Sequence, residues 1–302
     1  MSTLAKSTAM RFGRTALVFA ARAAAVALCG LLECQAASAQ ARLTILDSGA
    51  SVIRGTSRSA AVIGMVVKDG DIVESAETAT LVRVEFADKS VVDLGPATRV
   101  WVRPSLKPAS GFAASNVYVL EGWVKLVAAP GQGAGAAFES PAAKLLTRGT
   151  CVLESHGTTA SVFAEAGDTR AASKSSAQDT ATSLASGQFL ALAAGKGAQT
   201  SARPPPDWLK RVPRAFKDSL APRTERFGTR EPTPAPPRPL DYAAIEPWLK
   251  AEPAVRMALL PRWKPMAREP AFKKMLIDNM RQHPEWDRIV FPEKYKPKLA
   301  LP

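Results

Sequence analysis

Val82-Arg83-Val84-Glu85-Phe86 alternates apolar and charged side chains with a period of two. This spacing is typical of a β-strand, because successive side chains of a strand point to opposite faces of the sheet. The two valines and the phenylalanine then share one face, and the arginine and glutamate share the other. The stretch predicts a strand with one face buried in a core.

The same alternation extends outward from this strand, over residues 43–192. Val124 and Leu126, for example, flank the charged Lys125. Turns rich in glycine and aspartate, such as that at 69–71, separate the apolar runs, and these residues accept the backbone angles of tight turns. No sustained helical period interrupts the strands, which disfavours a parallel sheet with crossover helices. We therefore expect a mainly β fold, either an antiparallel β-sandwich or a coiled β-sheet stack.

Residues 129–138 interrupt the strands with a segment rich in glycine and alanine. The segment lacks the Lys-Ser/Thr ending of a phosphate-binding loop and precedes a strand, not a helix. We expect it to be a flexible hairpin connection.

Several short motifs occur in a fixed order along this half of the chain. They are GMVVKDGDIV at 64–73, FADKSVVDL at 86–94, LEGWVKL at 120–126, SPAA at 140–143 with RGTCV at 148–152, and the turns FAEAG at 163–167 and ASGQ at 185–188. In this order the motifs resemble those of the FecR domain family, with Lys89 where that family usually has glycine. The resemblance covers residues 42–193, about half of the chain.

The resemblance implies an all-β periplasmic domain without a catalytic centre. In iron-uptake regulators of this family, the domain senses an outer-membrane transporter and signals through a membrane helix to a sigma factor. About fifteen residues precede the apolar run of this chain, too few for the cytoplasmic domain of such regulators. We therefore expect a non-enzymatic periplasmic binding or scaffold protein that contacts an envelope polymer or envelope protein. The alternative is a signal transduction component, either an anti-sigma-like regulator or a sensor.

The N-terminal segment has the layout of a secretory signal peptide. Three basic residues precede an apolar run at 16–32, and Ala37-Ser38-Ala39 offers small residues for a signal peptidase. We predict that residues 1–39 are a cleavable signal peptide and that the protein is periplasmic. The apolar run is shorter than a spanning helix prefers and contains Arg22, but an inner-membrane anchor at 16–32 stays open as the alternative.

Residues 203–302 differ from the β half in charge and in proline content. They hold 21 Lys and Arg against 12 Asp and Glu, and 19 of the 24 prolines. We predict a Pro-rich basic linker or wrapping arm over 203–240 and a small α-helical segment over 241–302. A basic segment of an exported protein suits peptidoglycan, an acidic envelope protein or a membrane surface, and export disfavours nucleic acid.

A short repeat predicts the helices of the C-terminal segment. Glu252-Pro253-Ala254-Val255-Arg256 recurs as Glu269-Pro270-Ala271-Phe272-Lys273, and proline suits the first turn of a helix. Trp248, Trp263 and Trp286 recur along the same segment.

Two interpretations of these tryptophans are open. They pack the helices together, or they form a partner-binding surface for a protein or a glycan. In the second case Trp248, Trp263 and Trp286 would act with Arg256 and Lys273.

Few residues of the chain suit catalysis. Cys151 lies in an apolar β-run, so we interpret it as a core residue and not as a nucleophile paired with His156. A metal site usually needs three or four ligands, and His156 has only Glu154 at a suitable spacing.

Three carboxylates, Asp69, Asp71 and Glu74, cluster near one turn. Turn formation explains the two aspartates, whereas calcium needs six or more oxygen ligands. We predict no catalytic residue, no metal site and no cofactor.

Overall fold

The computed structural model describes residues 41–296, with gaps at 109–111, 130, 132, 134, 175–180, 194–195 and 229–230. The predicted signal peptide at 1–39 and its apolar run at 16–32 lie outside the described residues. Within the described ranges, no helix has both the length and the apolar character that a membrane crossing requires.

Eighteen strands form among the described residues, nearly all in antiparallel pairs. They are β1 (Ala41–Asp47), β2 (Ala50–Arg54), β3 (Ser57–Ala60), β4 (Val66–Val67), β5 (Ile72–Ser75), β6 (Leu81–Glu85), β7 (Val91–Leu94), β8 (Arg99–Val102), β9 (Val117–Val127), β10 (Ala136–Glu139), β11 (Ala143–Thr147), β12 (Thr150–His156), β13 (Thr159–Ala166), β14 (Thr169–Ser173), β15 (Thr182–Leu184), β16 (Phe189–Ala193), β17 (Lys196–Ser201) and β18 (Arg238–Pro239). The predicted mainly β fold is confirmed.

The strands form two sheets that share one long strand. Sheet A has the order β4-β1-β6-β7-β9-β12-β13-β16-β17. Sheet B has the order β18-β3-β2-β5-β8-β9-β10-β11-β14-β15. The sheets enclose a single core cluster, to which Val82 and Val84 contribute from sheet A and Val73 and Val100 from sheet B.

The shared strand β9 bends at Gly122 as it passes from sheet B to sheet A. Its first half pairs with β8 and β10, and its second half pairs with β7 and β12. Gly122 has φ +102°, and a Cβ atom there would lie 2.4 Å from Thr98 Oγ1, so only glycine fits. This requirement explains the glycine of the LEGWVKL motif.

The expectation of a hairpin at 129–138 is wrong. Strand β10 runs parallel to the first half of β9, with Phe138 opposite Val117. Because β9 ends in sheet A, the chain must cross back to sheet B before it forms β10. The segment is therefore a crossover between sheets.

Five α-helices form among the described residues; the first lies between β17 and β18, and the other four follow β18. They are α1 (Pro206–Arg211), α2 (Tyr242–Leu249), α3 (Pro253–Trp263), α4 (Pro270–Asp278) and α5 (Asp287–Val290). Helices α3 and α4 begin at the prolines of the repeat, as predicted.

We call residues 203–240 the arm. Its first part covers the outer face of sheet A, and its last strand, β18, pairs with β3 at the edge of sheet B. Trp208 of α1 and Phe216 pack on Val152 and Phe189 of the sheet, with the ring centroids of Trp208 and Phe189 5.1 Å apart. Leu153 of the same strand points into the core between the sheets. Its neighbour Val152 points to the opposite face, so the arm covers the face of the sheet that lies away from the core. This first part of the proline-rich segment therefore wraps around the sheet.

A row of buried charges lies beneath the arm. Arg83, Asp93 and Lys125 are opposite one another on β6, β7 and β9, and each is at most 5% exposed. The carboxylate of Asp93 accepts two hydrogen bonds from Arg83, at 2.6 and 2.7 Å. Arg83 also donates to the carbonyl of Leu220 at 2.9 Å, and Lys125 donates to the carbonyl of Phe216 at 2.6 Å. The part of sheet A that carries this row is therefore buried on both faces, where alternation predicted one.

Glu85 fixes the middle of the arm to sheet A. Its carboxylate accepts hydrogen bonds from the backbone N–H groups of Arg223 and Thr224 and from the hydroxyls of Thr224 and Thr44, at 2.6–3.0 Å. Burial raises the pKa of Glu85, but these hydrogen bonds outweigh burial and hold its pKa below the ordinary value.

Residues 241–296, which we call the helical layer, cover the outer face of sheet B. Ile53, Ile72, Trp101 and Tyr118 form one cross-strand row on this face. The row belongs to one hydrophobic cluster with the buried apolar residues of the helical layer, which are Tyr242, Ile245, Trp248, Leu249, Ala251, Val255, Leu259, Trp263, Met266, Phe272, Leu276, Trp286 and Val290. The C-terminal helices therefore share a core with the β half.

His283 is a buried titratable group within the helical layer. It is 0% exposed, and its Nε2 atom lies 3.1 Å from the hydroxyl of Tyr242. Burial lowers the pKa of His283 below its ordinary value, with a contribution of the same sign from Arg256 and Lys250 and an opposing one from Glu285. The fold therefore keeps this imidazole neutral.

We predict that the free energy of unfolding decreases as the pH falls below about 6.5, the ordinary pKa of histidine. The unfolded chain takes up the proton in that range, whereas the folded chain excludes it, so protonation favours unfolding. Urea denaturation at about pH 7.5 and pH 5.5 measures the change, and the His283→Gln variant is expected to lose this part of the pH dependence. An equal pH dependence in both proteins would contradict the prediction.

Candidate functional site

A polar cleft opens where β9 bends between the two sheets, and we call it the bend cleft. Its volume is about 800 Å³. Both sheets and helix α1 contribute to its lining, which consists of Arg58, Glu74, Ser75, Glu77, Pro96, Ala97, Arg99, Glu121, Gly122, Trp123, Glu154, Ser155, His156, Thr159, Ser161 and Arg211. Residues from distant parts of the chain meet here because β9 belongs to both sheets.

Glu74 is the most extensively paired carboxylate of the bend cleft. It is 6% exposed, and its oxygens lie 3.1 Å from Arg58 Nη2 and 3.4 Å from Arg99 Nε. The indole Nε1 of Trp248 donates a hydrogen bond to Glu74 in addition to these ion pairs, at 3.1 Å. Strand pairing places Arg99 opposite Glu74, which fixes this geometry. Glu74 therefore connects the cleft to the helical layer.

Two further ion pairs line the cleft. Arg99 also contacts Glu121 at the bend of β9, and Arg211 of the arm contacts Glu154 of β12. The guanidinium of Arg211 lies 5.9 Å from the ring centroid of Trp123. The three arginines of the lining are thus each held by a glutamate.

Three other polar side chains of the cleft take no part in these ion pairs. Glu77 and His156 are exposed, and within the described ranges their side chains form no hydrogen bond or ion pair. Ser155 is 1% exposed, and its hydroxyl has no hydrogen-bond partner in the described part of the chain. The cleft therefore holds one exposed carboxylate, that of Glu77, which is available to a ligand, whereas the hydroxyl of Ser155 is buried on the core side of β12, on the face of Leu153 and opposite Ala160.

The structure places the three candidate tryptophans in the core. Trp248, Trp263 and Trp286 are 0%, 1% and 1% exposed, which agrees with the packing interpretation and leaves them no ligand-accessible surface. Arg256 contacts Glu285 at 3.1 Å, and Lys273 is exposed on α4. These five residues form no common surface, and only Trp248 touches the bend cleft, through Glu74.

Each carboxylate of the turn at 69–74 binds an arginine. Arg54 lies 2.6 Å from Asp71, and Arg103 lies 3.2 Å from Asp69. In the part of the chain that the structure describes, no group of three or more His, Cys, Asp or Glu residues is arranged to hold a metal ion.

Cys151 and His156 do not meet. Cys151 is 0% exposed in the core, and burial raises its pKa to about 12, so the thiol stays protonated at neutral pH. His156 lies on the opposite face of β12, exposed in the bend cleft. A thiol–imidazole pair is therefore not formed.

Comparisons with known proteins place this chain in no family. No family model matches it, and no curated protein matches it. Among solved structures, it is similar to the crystal structure of a proposed anti-sigma factor from Parabacteroides distasonis ATCC 8503, with 12% identity and a TM-score of 0.35. The similarity covers 44% of this chain and 59% of that chain. A TM-score of this size does not establish a shared fold, so membership of the FecR domain family stays a prediction.

Proposed function

We propose that this protein is exported to the periplasm and works there as a non-enzymatic binding or scaffold module. Its ligand is an envelope polymer or an envelope protein, and the bend cleft is the contact site. The cleft is the observation that carries the proposal, because it combines arginines, carboxylates, hydroxyls and an aromatic ring in one open groove. Such a lining suits a polar ligand that is recognised by many hydrogen bonds.

The boundary of the folded unit supports export with cleavage. The described residues, which begin at Ala41, belong to one compact unit, and the predicted cleavage site after Ala39 precedes them. Removal of the leader at that point would leave the compact unit whole.

The surroundings of the carboxylates and of the one cysteine of the described chain support a binding function without catalysis. Glu74, Glu121 and Glu154 each contact an arginine, so these carboxylates are already engaged in ion pairs within the protein. Burial disfavours the charged thiolate of Cys151, which raises its pKa and makes the thiol a poor nucleophile.

The basic surface of the helical layer supports a second, electrostatic contact with the envelope. Lys264, Arg268, Lys273, Lys274 and Arg281 are all exposed. Their partner would be anionic peptidoglycan, an acidic protein or a membrane surface. Screening predicts that this contact weakens as salt increases.

Co-sedimentation of the purified protein with peptidoglycan sacculi tests the proposal, together with crosslinking of a tagged chain in living cells. We expect the protein to sediment with sacculi at low salt or to crosslink to one specific envelope protein. Glu121→Gln, in the cleft, is expected to weaken the interaction about threefold, while the exposed Glu293→Gln, which makes the same charge change outside the cleft, is expected to leave it unchanged.

Failure of both assays at low salt would overturn the proposal. A change in the transcription of a small set of envelope genes on deletion of the gene, without binding to sacculi, would favour the alternative of a signal transduction component.

A further inference from the structure

We propose that a second groove, at the helical layer, binds a peptide segment of a partner protein in which large apolar side chains flank a single lysine or arginine. We call it the apolar groove. It shares no lining residue with the bend cleft, so this inference goes beyond the proposed function.

The apolar groove lies between the start of α2 and the start of α4. Its volume is about 780 Å³, which is within the usual range of ligand sites. Nine of its twelve lining residues are apolar or aromatic, and the other three are Thr56, Asp241 and Glu269. The groove therefore differs from the polar bend cleft and selects another kind of ligand.

The floor of the groove is a packed apolar surface. It is formed by Leu240, Tyr242, Met266 and Phe272, which are at most 9% exposed. The hydroxyl of Tyr242 lies 3.1 Å from Nε2 of the buried His283, so its polar end is already engaged inside the protein. Met275, which is 40% exposed, lines the same groove, and its flexible thioether adapts to apolar groups of different shape. A ligand that fills the groove must therefore offer apolar side chains.

Two carboxylates at the rim determine the charge that the partner carries. Asp241 and Glu269 are both exposed, and within the described ranges neither forms an ion pair with a lysine or an arginine. Asp241 accepts a hydrogen bond from the backbone N–H of Ala244 at 2.8 Å, whereas the side chain of Glu269 does not cap α4. Because no basic side chain lines the groove, a lysine or arginine of the partner would supply the complementary charge.

The surroundings of the groove limit the partner to one basic side chain. Lys264 and Arg268 are exposed at the ends of the turn that carries Pro265 and Met266, but neither lines the groove. They would repel a run of basic residues. A single cation between apolar residues lies among the carboxylates instead.

NMR of the purified protein with labelled methionine methyl groups tests the proposal. Met266 and Met275 line the groove, and Met257, which is 55% exposed on α3 and does not line it, is the internal control. The probe is the capped peptide Ala-Leu-Lys-Leu-Ala, compared with Ala-Leu-Glu-Leu-Ala and Ala-Ser-Lys-Ser-Ala. We expect the probe to shift the signals of Met266 and Met275 but not of Met257, and to bind about tenfold more tightly than either other peptide.

Substitutions assign the two parts of this recognition to their residues. Met275→Gln is expected to weaken binding of the probe about fivefold, while Met257→Gln, the same change outside the groove, leaves it unchanged. Glu269→Gln is expected to reduce the preference for the lysine peptide over the glutamate peptide about threefold, while Glu225→Gln, in the arm, does not change it. All four residues are exposed, so we expect all four variants to fold.

Each other result overturns the proposal in a different way. Equal binding of the three peptides, or no shift at Met266 and Met275, removes the apolar groove as a peptide site and leaves the proposed function of the bend cleft to its own assays. A shift of Met275 that depends on protein concentration alone would make a second copy of the chain the occupant. Tighter binding of the probe by a variant that ends at Lys296 would make residues 297–302 the occupant.

Discussion

Asp93→Ala is expected to lower the free energy of unfolding by about 3–5 kcal/mol, because it leaves the buried guanidinium of Arg83 without its counter-ion. Both side chains are 3% exposed, so water cannot replace the lost carboxylate. Arg83 would keep its hydrogen bond to the carbonyl of Leu220, in the arm, and the longer-range attraction of Glu85. The variant therefore weakens sheet A and its contact with the arm together.

Urea denaturation followed by circular dichroism measures this effect. Asp218→Ala is the control, since Asp218 is an exposed carboxylate of the same arm, and we expect its effect to stay within about 0.5 kcal/mol. The double variant Arg83→Met with Asp93→Leu is expected to recover much of the loss, because apolar residues of similar volume replace a buried ion pair well. If Asp93→Ala cost no more than Asp218→Ala, the arm would not seal this face of the sheet.

The β architecture was predictable because its signal is local. Alternation around Val82 and Val84 depends on a single strand, and the structure places both valines in the core between the sheets. The helix starts at Pro253 and Pro270 were predictable for the same reason, since the first turn of a helix tolerates proline whatever surrounds it.

The burial of the second face of each sheet was not predictable from the strands alone. Arg83 and Lys125 look like solvent-facing residues in their own strands, and only the register of β6, β7 and β9 places Asp93 between them. The aromatic residues that cover this row come from the arm, such as Phe216, more than ninety residues after Lys125 by number.

The bend cleft was visible in the sequence only in fragments. Glu154 and His156 were expected on one face of a strand, and both line the cleft. Their meeting with Glu74 and Arg211 depends on the shared strand β9 and on the path of the arm, which are long-range features. The tryptophans gave a misleading signal of a binding surface, because aromatic residues beside basic ones occur in cores as well as in interfaces.

Trp248→Ala is expected to lower the free energy of unfolding by about 3–5 kcal/mol, the usual cost of truncating a fully buried aromatic residue. Trp248 is 0% exposed, and its ring centroid lies 6.4 Å from that of Tyr118 in sheet B. The substitution would open a cavity between the helical layer and the sheet. It would also remove the indole donor that holds Glu74 at the wall of the bend cleft.

A control and a second variant separate the contribution of Trp248 to packing from its hydrogen bond to Glu74. Met257→Ala, at a residue 55% exposed on α3, is expected to change stability by no more than about 0.5 kcal/mol. Trp248→Phe keeps most of the packing but loses the hydrogen bond to Glu74, so we expect a smaller loss of about 1–2 kcal/mol together with weaker ligand binding. A Trp248→Ala protein as stable as Met257→Ala would mean that the helical layer does not dock on sheet B through this residue. Unchanged binding by a folded Trp248→Phe protein would mean that Glu74 is held in the cleft by Arg58 and Arg99 alone.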